Sequence, residues 1–106
     1  MSAKVLVVDD EQEIRLLISA FLTKAGHAVS EAASGAELRA AFDEDTPDVV
    51  LLDLKLPDAE GLDLIQPLKR NWPTTEVIVL TGHASIDAAV SATKLGAYDF
   101  QKKPFD

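Results

Sequence analysis

Five residues of this chain have types and positions that could do chemistry together: Asp9, Asp10, Asp53, Thr81 and Lys103. Each closes or follows an apolar run. Asp9 and Asp10 end VLVVDD, Asp53 ends VVLLD, Thr81 ends EVIVLT, and Lys103 follows YDFQK. Three carboxylates sharing one pocket repel, by roughly 4 kcal/mol per pair at ~4 Å and an effective dielectric near 20. A retained proton or a bound cation relieves that repulsion. An all-oxygen donor set suits Mg²⁺, which takes one or two carboxylates, keeps several waters and accepts a phosphate oxygen. A carboxylate can also attack phosphorus and form an aspartyl phosphate. Catalysis of phosphoryl transfer is mostly positioning and charge neutralisation. In such a site Lys103 would neutralise phosphoryl oxygens, Thr81 would donate a hydrogen bond to one, and Gly82 would leave them room. Lys102 and Lys103 are adjacent, so in an extended segment only one of them points into the site.

For residues spread over most of the chain to meet, the apolar runs must lie side by side. Val5 to Val8 is a continuous β-branched run, as expected of a strand buried on both faces. Weaker strand character covers Ala28 to Ala32, and further strands are expected at Asp48–Asp53, Glu76–Thr81 and Tyr98–Gln101. Between them lie helical patterns. Ile14, Leu17, Ile18, Phe21 and Leu22 form one apolar stripe, with Asp10 and Glu13 fitting a capping pattern at its start and Gly26 a stop. Ser34 and Glu37 form a capping box before Leu38, Ala41 and Phe42. Leu62, Ile65 and Leu68 mark a third helix, in which Pro67 predicts a late start or a kink. Trp72-Pro73 ends it, far from the acids, and a fourth helix covers Ser85 to Leu95 up to Gly96. His27 is expected at the surface.

Strict β-α alternation with buried strands predicts an α/β fold: a doubly wound five-stranded parallel sheet with helices on both faces. Right-handed crossovers bring every strand C-terminus to one edge, where ligands of such sheets bind. All five reactive residues then share that edge.

The bulk numbers agree with one small domain. The chain has 106 residues, 47% apolar and 26% charged, without cysteine. Disulfides, thiolate metal sites and cysteine nucleophiles are excluded. A net charge of −8 argues against direct nucleic-acid contact and favours cations. The N-terminus carries no signal-peptide pattern and no apolar run is long enough for a membrane span, which leaves the cytoplasm as the default.

The ordered set VLVVDDE, VVLLDLKLPDAEG, VIVLTGHAS and GAYDFQKKPF resembles the receiver domain of bacterial two-component response regulators. TGHASIDAAVSATKLGAYDFQKKPF is further similar to receivers of the nitrogen-regulation class, which are attached to transcriptional activators. The resemblance implies a flavodoxin-like strand order 2-1-3-4-5. It implies that Asp53 is the phosphoacceptor, that Asp10 binds Mg²⁺ directly with Asp9 as its acidic partner, and that the backbone carbonyl of Lys55 completes the metal shell. It makes Thr81 the switch hydroxyl, Phe100 the switch aromatic and Lys103 the phosphate-binding lysine, and it implies a cis Lys103–Pro104 peptide. Lys55 and His83 take the positions that tune phosphate lifetime. The implied partners are a sensor histidine kinase and an output domain or partner protein. The domain would catalyse only its own phosphorylation and dephosphorylation.

Residues 1–106 would then be a C-terminally truncated receiver domain whose final, fifth helix is missing. One face of the first and last strands would be uncovered, which favours a homodimer. Taken singly, Asp10 reads equally well as a helix cap, Phe100 as core, and Lys103 as a solvated charge. The conjunction at five strand ends favours the site. Two other functions use parts of it: a metal-dependent phosphatase with an aspartyl-phosphate intermediate, for which the short loops leave little substrate room, and a flavodoxin-like cofactor binder, which the acidic first loop disfavours.

Overall fold

In a computed structural model, which describes residues 2–82 and 86–102, nine elements alternate along the chain: β1 (Lys4–Val8), α1 (Gln12–Lys24), β2 (Ala28–Ala32), α2 (Gly35–Glu44), β3 (Val49–Leu52), α3 (Gly61–Asn71), β4 (Glu76–Thr81), α4 (Ile86–Leu95) and β5 (Asp99–Lys102). The strands form one five-stranded parallel sheet in the order β2-β1-β3-β4-β5. The expected doubly wound α/β architecture is therefore present, and among the described residues four helices cover it. Ser85, the expected start of the fourth helix, lies outside the described residues, as do His83, Lys103 and Pro104.

Successive strand residues point to opposite faces, and the core divides accordingly. Leu6, Val8, Val50, Leu52, Val77 and Val79 face one side, where Leu38 and Phe42 of α2, Leu64, Ile65 and Leu68 of α3 and Ala92 of α4 pack on them. Val5, Val7 and Leu80 face the other side and meet Ile18 of α1, flanked by Ile14 and Leu22. Each such side chain, once fully buried, contributes about 1.5–3 kcal/mol.

Several local expectations need correction. On α1 the inward line is Ile14, Ile18 and Leu22, whereas Leu17 and Phe21 are exposed. They sit on the helix flank beside a groove of about 370 Å³ lined by Leu51, Ile78, Leu80 and Gln101. The less covered surface thus lies over β3, β4 and β5, not over β1, whose Val5 and Val7 are buried. On α3 Leu64 is buried and Leu62 only partly so. That helix starts at Gly61 and runs on through Pro67. The N-cap of α1 is Glu11, without a side-chain cap, so Asp10 and Glu13 do not form the expected capping pair. His27 is half-buried, and its Nδ1 accepts a hydrogen bond from the Ala3 amide at 3.0 Å.

The stops are as expected where glycine is required. Gly26 (φ 97°) and Gly96 (φ 113°) take left-handed backbone just after α1 and α4. Ser34 caps α2 by accepting from the Glu37 amide at 3.1 Å. The Glu37 carboxylate reaches back to the Ala33 amide at 3.1 Å, one residue before the usual capping-box partner.

Candidate functional site

The register of the sheet builds the site. Val8 lies opposite Leu52 and Leu52 opposite Val79, so Asp9, Asp53 and Thr81 leave three adjacent strands at one edge. Hydrogen bonds carry the sheet one step further: the Asp9 amide donates to the Ala32 carbonyl at 3.0 Å and the Asp53 amide to the Val8 carbonyl at 2.9 Å. The acids are therefore placed by rigid backbone. Asp9 is 2% and Asp53 5% exposed, while Asp10 stands in solvent. Carboxylate oxygens of all three lie within 4.8 Å of one another. Three hard oxygen donors that close, two of them buried, fit a single small cation such as Mg²⁺.

Other expected residues are distributed around this trio. Thr81 is fully buried at the end of β4. Phe100 is half-buried against the larger core cluster, opposite Val79. Lys55 is exposed. Its amide approaches Asp53 Oδ1 at 3.4 Å, and its ammonium lies 3.4 Å from Glu60. Gly82 is exposed, and a Cβ added there would meet nothing within 4 Å. His83, Lys103 and Pro104 fall on residues that the structure does not describe, including the expected cis peptide.

Three contributors were given no role by the sequence reading. Gly61 opens α3 with its amide donating to the Leu54 carbonyl at 2.7 Å. A Cβ there would run into the Asp53 carbonyl oxygen and come within 2.7 Å of Leu54 Cα. Only glycine lets α3 start this close to the phosphoacceptor candidate. Asp58, in the same β3–α3 loop, accepts from the amides of Gly35 at 2.8 Å and Ala36 at 3.0 Å, capping α2 from a distant part of the chain. Those two bonds hold its carboxyl below the usual carboxylate range. Arg15 donates from Nη1 to the Asp9 carbonyl at 2.7 Å and from Nε to Glu31 at 3.2 Å. All three are legible only from tertiary contacts.

Among the described residues, no helix is long and apolar enough to cross a membrane. The family described as the response regulator receiver domain matches residues 5–106. The DNA-binding transcriptional regulator NtrC of Klebsiella pneumoniae is 42% identical over 100 residues, covering 94% of this chain and 21% of its own length. The chain spans about a fifth of the length of the curated relatives it matches first. NtrX from Brucella abortus superposes with a TM-score of 0.93 at 40% identity, over all of this chain and 25% of that one. A response regulator from Burkholderia pseudomallei, solved with a phosphorylated aspartic acid, a calcium ion and citrate, gives 0.92 at 34% identity, over 97% of this chain and 61% of that one. Strand order, acidic edge and these likenesses agree: the chain belongs to the response regulator receiver domain family.

Proposed function

We propose that this receiver works as a Mg²⁺-dependent phosphoacceptor, with Asp53 as the residue modified. The observation that carries the reading is the convergence of Asp9, Asp10 and Asp53 on one point at the sheet edge. An Asp53 carboxylate oxygen attacks the phosphorus of a kinase phosphohistidine. The new P–O bond forms as the P–N bond breaks, and the electron pair leaves with the imidazole nitrogen. Asp9, Asp10, Asp53 and the Lys55 backbone carbonyl would hold Mg²⁺, which would supply charge neutralisation for the carboxylates and the phosphoryl oxygens. Burial keeps Asp53 poorly solvated and fixed, which favours in-line attack. The Thr81 hydroxyl donates to a phosphoryl oxygen, Lys103 neutralises another, and Phe100 follows Thr81 inward. The altered surface of α4 and β5 is what an output reads, and the relatives make transcription the natural output. His83 and Lys55 set how long the phosphate lasts.

On this reading residues 1–106 act as one receiver unit in the cytoplasm. The unit turns over no external substrate and makes no direct nucleic-acid contact. Its partners are a sensor histidine kinase, an output domain and a second copy of the chain. The exposed groove along α1 supports the last of these. The test is intact mass after incubation with a small-molecule phosphodonor, with and without Mg²⁺. One Mg²⁺-dependent phosphoryl adduct is expected on the parent and none on Asp53→Asn. An adduct that survives Asp53→Asn, or no adduct on the parent, overturns the assignment.

A further inference from the structure

The loop between β1 and α1 must hold two adjacent carboxylates toward a third. Like charge drives such a loop open, so something on the protein has to fix its backbone. Three hydrogen bonds to described residues are among those that hold Asp9. Its amide donates to Ala32, its Oδ1 accepts from the Glu11 amide at 2.9 Å, and its carbonyl accepts from Arg15 Nη1 at 2.7 Å. The last tie is the only one of these made by a cation. Arg15 sits in the first turns of α1, with its side chain 14% exposed. Its Nε is engaged by Glu31 on the outer strand β2, so the guanidinium plane is held from both ends. A guanidinium is a rigid fork, which suits it to hold an acceptor at a set angle. The carbonyl it grips belongs to the Asp9–Asp10 peptide itself. Rotating that peptide would swing Asp10 away from Asp53.

We propose that Arg15 is a positioning residue for the metal: anchored by Glu31, it grips the Asp9 carbonyl and fixes the Asp9–Asp10 turn so that both carboxylates meet Asp53. The inference rests on the Mg²⁺ site proposed above. It adds a link from that site to the edge strand, through a pair that would otherwise count as one more ion pair of small consequence. Glu31 acts through Arg15, and Arg15 acts through the peptide. Neither touches the phosphoryl group.

The experiment is a Mg²⁺ titration followed by thermal unfolding, which reads affinity from the rise in Tm without any phosphoryl transfer. The proteins are the parent, Arg15→Gln, Arg15→Lys and Glu31→Ala. Loss of a residue that orients metal ligands typically weakens binding 10–100-fold. Arg15→Gln is expected at the low end, roughly 10-fold weaker than the parent. Arg15→Lys is also weaker, because one ammonium cannot reproduce the fork, and Glu31→Ala falls between Arg15→Gln and the parent. In phosphodonor assays the variants need more Mg²⁺ for half-maximal rate but recover the parental rate at saturation. A purely structural tie would instead lower the metal-free Tm and leave the Mg²⁺ affinity parental, and that result overturns the proposal. Should Arg15→Gln fail to fold, parental affinity in both Arg15→Lys and Glu31→Ala overturns it equally. A parent chain that shows no Mg²⁺ response overturns the metal site as well, whereas a responsive parent with unchanged variants overturns only the role of Arg15.

Discussion

The two edges of the sheet handle acidic residues in opposite ways. At the edge where the strands begin, Asp45 and Asp48 lie between α2 and β3. Asp45 lies 2.9 Å from the Lys4 ammonium, and Asp48 accepts from the Lys4 amide at 2.8 Å. The hydrogen bond to Asp45 and the charge of its carboxylate raise the pKa of Lys4, so the cation is held more firmly. Nearby Thr75 is buried and donates to the Pro47 carbonyl at 2.7 Å, and Trp72 packs on Phe42 with ring centroids 4.5 Å apart. That edge is closed by partners from the chain itself. At the edge where the strands end, three carboxylates converge within 4.8 Å. The first arrangement is a fold that has satisfied its own charges. The second sets three carboxylates side by side on rigid backbone, the arrangement that the proposed Mg²⁺ site uses.

The sharpest way to break this contrast is to disturb the backbone that packs the second edge. Gly61→Ala puts a Cβ into the Asp53 carbonyl and Leu54 Cα. Both obstacles are main chain, so neither can rotate aside. Overpacking of this kind costs about 1–3 kcal/mol, and this site belongs at the upper end. The Gly61–Leu54 hydrogen bond must lengthen and the loop bearing Asp53 must shift. Urea unfolding should show a lower midpoint, and Mg²⁺ affinity should fall with it. A variant with parental midpoint and parental affinity would show that the loop yields easily and that the site does not depend on close packing.

A second comparison removes one acid from each edge. Asp10→Asn deletes a like charge from the trio. In the absence of Mg²⁺ the variant should be more stable, by about 1 kcal/mol given the exposure of Asp10, which is ~4–8 °C in Tm for a domain of this size. The Mg²⁺-dependent rise in Tm should largely disappear. Asp48→Asn does the reverse. It weakens a satisfied hydrogen bond, lowers Tm slightly, and leaves the Mg²⁺ response intact. Thermal unfolding of both proteins, with and without Mg²⁺, reads all four quantities. Loss of stability in Asp10→Asn without metal would mean that the acids are held by the fold and do not strain it.

Local pattern carried much of this structure. The apolar, β-branched runs located β1, β3 and β4 within a residue at each end, because a strand buried on both faces has few other compositions, whereas β2 and β5 carried weaker patterns and were placed by the alternation of elements. Gly26, Gly96 and the Ser34 cap were legible for the same reason: each satisfies a need of its own neighbours. The failures share a different cause. Leu17 and Phe21 fit a helical stripe as well as Ile14, Ile18 and Leu22 do, and only the position of α1 on the sheet decides which residues are covered. Asp10 and Glu13 look like caps, yet the backbone places Glu11 at the cap because Asp9 holds its amide. Gly61, Asp58 and Arg15 act on partners that the fold brings close. For Asp58 the partners are 23 and 22 residues away.

Asp58 also gives the mildest test of how the second edge is braced. Its carboxylate ties the loop that carries Asp53 to the start of α2, and the amides of Gly35 and Ala36 hold its pKa below the ordinary value. The sign follows from linkage. A carboxyl whose folded pKa is depressed contributes stability that is complete above the unfolded value, about 3.9. That contribution is lost as the pH falls from there through the folded value. Asp58→Asn keeps the shape but has no charge at any pH. The variant should therefore be slightly less stable than the parent at pH 7, with a constant gap down to about pH 4, and the two should converge below it. Tm against pH for both proteins decides the matter. The effect is smaller than those above because Asp58 is exposed and one amide-type acceptor survives in asparagine. A gap that stays constant into strong acid would mean that shape, not charge, joins the loop to α2.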